Sequence, residues 1–257
     1  MLRNSPRAAG YLSPIEDDTS TYRVKFIHGM ELHIGWATSI AVLGDASFRY
    51  IVLDEVDKYP PYLGKDVNPV HAAEQRANAF PDTCKLIYMT TPTEPDGYIW
   101  RKINEEADVI MDLYVRCPVC GHEQVMVFDN FVWPKDITDP RVIQRKKLAR
   151  YQCAACPSLW DDVVRNKAVS RWRWGARAEV ERPENIALLL PAWYSRNISL
   201  SRCVAQYMRG KDDNEEMRSF ITQIKAEPYV EKISTKSEDD VLKQKTGLPA
   251  GIVPREA

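Results

Sequence analysis

Apolar and polar positions alternate along YRVKFIHGMELHIGWA (22–37) on both sides of His28-Gly29, which predicts a β-hairpin. Beyond a Gly44-Asp45 turn the pattern becomes a short apolar run, Tyr50 to Leu53, rich in β-formers. Three acids then crowd into four positions: Asp54, Glu55 and Asp57. Residues 69–80, PVHAAEQRANAF, have helical spacing and good helix formers. A second apolar strand, Leu86 to Met89, runs into the Thr/Pro turn TTPT (90–93). Strand, helix, strand is the unit of a parallel sheet. Both the acidic run and the threonine turn then fall at carboxyl ends of strands, where open α/β sheets place their ligands.

From 114 to 160 the texture shifts to short strands and cysteine pairs, with a basic, helix-compatible stretch, RVIQRKKLAR (141–150), between them. The Trp-rich segment 171–195 predicts a strand packed against the rest, and 200–232 predicts two helices around Gly210–Asn214. Residues 1–20 are polar and punctuated by Pro and Gly, and the tail from Ser234 reads as a linker with Pro249 and Pro254.

Composition narrows the classes. Hydrophobic residues make up 44% and charged residues 28%, a globular balance. The formal net charge is −1, so any nucleic-acid surface must be local. No signal-peptide core is present and no stretch approaches 18 apolar residues, which points away from a membrane and toward the cytosol. In that reducing setting six cysteines suggest metal binding before disulfides.

Cys117 and Cys120 in CPVCGH, and Cys153 and Cys156 in CAAC, are two C-x-x-C knuckles. Two such turns complete a closed four-thiolate zinc site, and closed coordination makes it structural. The competing reading is two unrelated thiol pairs or a redox motif. His122 reads as a surface residue, and Cys84 and Cys203 as buried thiols. At the acidic strand end, Asp54 would hold Mg²⁺ and Glu55 would orient and deprotonate a water; the competing reading is an exposed acidic turn. The hydroxyls of the 90–93 turn would sense a γ-phosphate, or form a plain Thr/Pro turn. No G-x-x-x-x-G-K-[ST] occurs: Gly64-Lys65 and Gly210-Lys211 are each followed by aspartate. Arg141, Arg145, Lys146, Lys147 and Arg150 suit a DNA-facing helix, and Arg171 and Arg173 interleave with Trp172 and Trp174. A solvated helix face and tryptophan core packing are the more ordinary readings.

In this order, SIAVLGDASFRYIVLDEVDKYP (39–60), AEQRANAF (73–80), LIYMTTPT (86–93), CPVCGHEQVMVFDNFVW (117–133) and YQCAACPSLW (151–160) resemble the large terminase subunit of lambda-like tailed bacteriophages. MRSFITQIKAEPYVE (217–231) and LPAGIVP (248–254) agree as well. The resemblance implies an ATP-driven motor that packages double-stranded viral DNA into a procapsid, followed by a nuclease that cuts concatemers. It makes Asp54 the Mg-ATP-binding acid, Glu55 the catalytic glutamate, and Thr90, Thr91 and Thr93 the coupling motif. Cys117, Cys120, Cys153 and Cys156 become the zinc insertion. It also implies a small terminase subunit, a portal and a ring oligomer as partners, in the bacterial host cytoplasm.

The expected fold is α/β: an incomplete P-loop NTPase with an inserted four-cysteine zinc ribbon and a C-terminal helical linker. The expected division is 1–115 for the distal ATPase part, 116–160 for the ribbon, 161–233 for a segment linking ATPase to nuclease, and 234–257 for a linker ending before the nuclease. The phosphate loop is expected upstream of residues 1–30 and the nuclease after GIVPREA, making the chain a middle fragment, inactive alone. Two rivals remain: a helicase-like translocase fragment, and a non-enzymatic zinc-ribbon module that binds nucleic acid.

Overall fold

The computed structural model describes residues 4–38, 46–59 and 68–231. The predicted Gly44-Asp45 turn and the tail from Ser234 lie outside them. After a short helix, α1 (Pro6–Ala9), strands β1 (Arg23–Lys25) and β2 (Glu31–His33) pair antiparallel with Val24 opposite Leu32, as the alternation predicts. Strand β3 (Tyr50–Asp54) is followed by α2 (Pro69–Glu74), whose N-cap Asn68 accepts from the Val70 amide at 2.9 Å. The helix tightens into a 3₁₀ turn, Gln75–Ala77, short of the predicted residue 80. Pro81 disfavours helical backbone at Phe80, which explains the early end. Strand β4 (Lys85–Met89) then lies parallel to β3, with Asp54 opposite Met89. The strand–helix–strand unit is therefore present.

Helix α3 (Tyr98–Glu105) leads to the long strand β5 (Val109–Arg116), followed by β6 (Glu123–Val125) and β7 (Phe131–Val132). Helix α4 (Pro140–Lys146) precedes β8 (Arg150–Gln152), β9 (Leu159–Trp160) and α5 (Asp162–Val169). The basic stretch is thus only partly helical. Lys147 takes a left-handed φ of 51°, and the chain turns back as β8. The Trp-rich segment yields two strands, β10 (Arg173–Ala176) and β11 (Ile186–Leu189). The predicted helix pair follows as α6 (Leu200–Gly210) and α7 (Asn214–Ser219), the latter running into a π-helical turn, Phe220–Ile224.

Strand β5 organises the second sheet. It pairs antiparallel with β10 on one edge; on the other, β11 runs parallel to its first half and β6 antiparallel to its end. β7, β8 and β9 form a separate antiparallel sheet. One large core joins these parts: Val115, Met126, Ile143, Tyr151, Trp160 and Val204 are all essentially inaccessible. A smaller core of Leu53, Val56, Val70 and Ala73 lies under β3. The chain is mixed α/β, and among the described residues no helix is long and apolar enough to cross a membrane.

Two predicted burials fail. Trp172 is 50% exposed and meets Trp174 edge-on at the end of β10, because it precedes the strand rather than facing the core. Cys84 is only half-buried, since it lies in the turn before β4; Cys203 is buried as expected.

Tyr194 is a buried polar tie between sheet and core. Its hydroxyl donates to the Leu113 carbonyl and accepts from the Met126 amide, both at 2.7 Å. Tyr194→Phe removes the acceptor from a buried amide and should cost about 1–3 kcal/mol. Urea unfolding that leaves the midpoint unchanged would contradict this.

Candidate functional site

Parallel register brings the carboxyl ends of β3 and β4 side by side. Immediately past β3, Glu55 takes φ 54° and ψ 42°, a left-handed conformation uncommon for a residue with a Cβ. That reversal starts a 3₁₀ turn, Val56–Lys58, which buries Val56 in the small core. The Glu55 carboxylate lies 2.8 Å from the Lys58 ammonium, and the Thr90 hydroxyl is 3.4 Å from the same oxygen. That hydroxyl also lies 3.1 Å from the Thr91 carbonyl, so its single proton serves one acceptor at a time. The Asp54 side chain is exposed and makes no hydrogen bond or ion pair among the described residues. Thr91 contributes only its carbonyl.

Thr93 is held by an acid that carried no assigned role. Its amide and its hydroxyl both donate to Asp57 Oδ2, each at 3.2 Å. The other Asp57 oxygen accepts from the Ile99 amide at 2.7 Å, in the first turn of α3. One carboxylate therefore joins the acidic turn, the threonine turn and a helix N-terminus, where negative charge is favoured. Gly97 leaves room for it: a Cβ there would lie 2.8 Å from Asp57 Oδ2 and 3.0 Å from the Glu94 carbonyl. The only sequence signal for this role was a third acid two positions after Glu55.

The threonine turn also reaches the far end of the described chain. The Tyr229 amide donates to the Thr93 carbonyl at 3.1 Å. Tyr229 is buried, with the Arg218 guanidinium 5.3 Å above its ring.

The second site is built from two hairpin turns. Cys117 and Cys120 lie between β5 and β6, and Cys153 and Cys156 between β8 and β9. The Cys117 amide donates to the His122 carbonyl at 2.8 Å, and the Cys153 amide to the Ser158 carbonyl at 3.1 Å, closing each knuckle. All four sulfurs lie within 4.8 Å of one another, a set able to hold a metal ion. Cys117–Cys156 and Cys120–Cys153 are 3.9 and 3.8 Å apart. Around them, the Gln124 side chain and the Ala155 amide each donate to the Cys153 sulfur at 3.4 Å. The Ser158 hydroxyl lies 3.1 Å from the Cys156 sulfur. His122 is exposed and outside the set, as expected.

The electrostatics of the four thiols differ. Burial of Cys117 opposes ionisation, but the Cys120 amide, the Ser158 hydroxyl and the Val119 amide outweigh it and draw the thiol down to about 6. The His122 amide favours a Cys120 thiolate, yet burial and the other three sulfurs push it up to about 12. Hydrogen bonds from Ser158 lower Cys156. Four thiolates this close repel one another, and a divalent cation at their centre removes that conflict. The cysteines belong to the large core and the acidic strand end to the small one, so the two sites are separately built.

A parallel strand pair ending in acids and threonines, followed by a four-sulfur centre, defines a mixed α/β protein with a candidate metal site. Residues 1–174 match the family model described as phage terminase large subunit gpA, ATPase domain, and residues 187–257 match terminase large subunit gpA, endonuclease domain. The first match spans more than half of the chain and includes the acidic strand end and all four cysteines, so the chain belongs to the phage terminase large subunit gpA family. The second covers much of the stretch assigned from sequence to a linking segment (161–233) and all of the 234–257 tail; the linker expected to stop before the nuclease therefore matches the endonuclease model itself. No curated protein and no solved structure matches the chain. The Tyr229–Thr93 bond thus joins the endonuclease-matched stretch to the ATPase-matched one.

Proposed function

We propose that this chain is part of the ATP-driven motor that packages double-stranded viral DNA into a procapsid, joined to the endonuclease that cuts concatemers. The observation that carries this reading is the meeting of Glu55 with Thr90, 3.4 Å apart, at the carboxyl ends of a parallel strand pair inside the ATPase match. In it, exposed Asp54 would hold the Mg²⁺ of Mg-ATP. Glu55 orients the attacking water and takes its proton once Lys58 releases the carboxylate. Thr90, Thr91 and Thr93 form the coupling turn: Thr90 answers to Glu55, and Thr93 carries the response to Asp57 and Tyr229. Bound Mg²⁺ would neutralise charge on the phosphates.

The phosphate grip belongs to a P-loop NTPase fold completed by a segment outside these residues. Tetrahedral Zn²⁺ with Zn–S bonds of about 2.3 Å requires sulfurs about 3.8 Å apart. The two close pairs fit that spacing, which supports a structural zinc ribbon around Cys117, Cys120, Cys153 and Cys156. The small terminase subunit, the portal and a ring of copies would be its partners, in the host cytoplasm.

The test joins this chain to a terminase phosphate-loop segment and follows ATP hydrolysis. Glu55→Gln should lower kcat at least about a hundredfold, the usual span for a lost general base. Full activity in the glutamine variant would sink the assignment.

A further inference from the structure

The molecule neutralises its cations unevenly. On the sheet built around β5, exposed arginines are paired with acids: Arg173 and Arg116 with Glu123, and Arg177 with Asp112. Other exposed cations, Lys167, Arg171 and Arg202 among them, also lack an acidic partner among the described residues, but in the layer formed by α4, α6 and their flanks such cations are gathered together. Lys135, Arg141, Arg145, Lys146, Lys147 and Lys211 are all exposed, and among the described residues none has an acidic partner within 4.0 Å.

The acids nearest in sequence are occupied or stand apart. Asp139 caps α4 by accepting from the Arg141 amide at 2.8 Å. Asp213 caps α7, and Glu216 bonds to Gln206. Asp136, Asp212 and Glu215 form no ion pair with these cations.

Packing has placed like charges together. Lys135 lies over the Trp133 ring at 3.1 Å from its centroid, and Lys211 over Tyr207 at 5.3 Å. Those rings meet edge-on at 6.1 Å, so two ammonium groups from distant parts of the chain rest on one aromatic pair. Burial first, and the Lys211 charge second, make Lys135 easier to deprotonate than a free lysine. Arg141 and Arg145, at i and i+4, lie opposite buried Ile143 and repel each other. Cations in the last turn of α4 are favoured by the helix dipole, which explains Arg145 and Lys146. It does not explain Arg141, Lys135 or Lys211. Aromatic rings hold the two lysines in place without cancelling their charge, which leaves them available to a polyanion.

Helix α4 is braced for such a load. Ile143 is fully buried, Arg209 of α6 donates to Gln144 at 3.0 Å, and the Ala149 amide bonds the Ser201 hydroxyl at 2.9 Å. A rigid face with unpaired cations and no base-reading geometry suits phosphates rather than sequence.

We propose that the α4–α6 layer of the cysteine-held module is a surface for the backbone of duplex DNA, with Lys135, Arg141, Arg145, Lys146 and Lys211 as its phosphate contacts. The choice of DNA as the polyanion rests on the motor reading above; the surface itself rests on charge and packing.

The experiment titrates this chain, zinc-loaded, against a short fluorescent duplex by anisotropy over a series of salt concentrations. The variants are Arg141→Glu/Arg145→Glu/Lys146→Glu and, separately, Lys135→Ala/Lys211→Ala. Each lost phosphate contact should flatten the slope of log K against log salt by about 0.9, so the triple variant should lose nearly three of these and bind at least tenfold more weakly. The double variant should bind more weakly with a slope shallower by nearly two such steps. Zinc content and circular dichroism, measured alongside, should match the parent, because every substituted side chain is exposed.

Parent-like affinity and slope in both variants would overturn the proposal. So would a parent chain that binds no duplex at low salt. Neither of these results touches the Glu55→Gln hydrolysis test, so failure of the surface and failure of the motor reading are separable.

Discussion

Cys117→Ser should empty the four-sulfur centre and loosen the larger half of the molecule. Structural zinc bound by thiolates contributes on the order of 10 kcal/mol to folding, comparable with the whole stability of a domain. Cys117 and Cys153 are themselves part of the large core, two positions after Val115 and Tyr151 in sequence, so the four-sulfur centre and the apolar packing form one unit. The variant, or the parent treated with a strong chelator, should lose one zinc per chain. It should also lose amide protection from residues 117 to 160 and from the α6–α7 region packed on them. Residues 50–58 and 85–93 should keep their protection, because their core of Leu53, Val56, Val70 and Ala73 is separate. Acid should release the metal as protons compete for the thiolates. A serine variant that retained stoichiometric zinc and the parent's melting temperature would remove the metal centre from the account.

The second large effect is expected at Asp57, not at the acid assigned to catalysis. Asp57→Ala deletes the acceptor for three donors, the Thr93 amide, the Thr93 hydroxyl and the Ile99 amide. Bonds to a charged acceptor are the stronger kind, and the donors would be left in a half-buried turn. A local loss of about 3 kcal/mol follows. Hydrogen exchange should rise across 90–99 and at the Tyr229 amide, whose acceptor is the Thr93 carbonyl. Gly97→Ala should do the same by a different route, since its Cβ would press on Asp57 Oδ2 and on the Glu94 carbonyl. Glu55→Gln should leave that exchange unchanged: Glu55 is half-buried, with Lys58 and a long contact to Thr90 as its partners. On the reading proposed above, its effect belongs to hydrolysis. If Asp57→Ala left the 90–99 and Tyr229 amides as slow as in the parent, the carboxylate would not be what positions the threonine turn.

Much of this was legible without coordinates. Period-two alternation around His28-Gly29 and the apolar runs at 50–53 and 86–89 predicted the hairpin and the parallel pair, because strand periodicity is local. The paired C-x-x-C spacing predicted that four sulfurs would converge, since each knuckle is a self-contained turn. Burial was read less well. Trp172 is exposed and Cys84 half-buried, because hydrophobicity tells what a residue prefers but not which face of the fold it receives. The basic stretch at 141–150 was legible as charge, but its lack of acidic partners among the described residues was not.

The sequence by itself determined the strands, the acids at the end of β3, the threonine turn and the cysteine knuckles, all of which depend on neighbours a few positions away. Only the tertiary structure decided what those parts face. It set Asp57 across a gap of 36 residues as the anchor of Thr93, and brought Tyr229 onto the Thr93 carbonyl. It also gathered Lys135 and Lys211 over one aromatic pair. The physical reason is the same in each case. A hydrogen bond or charge contact between distant segments has no periodicity in the chain, and it exists only once packing has fixed where each backbone runs.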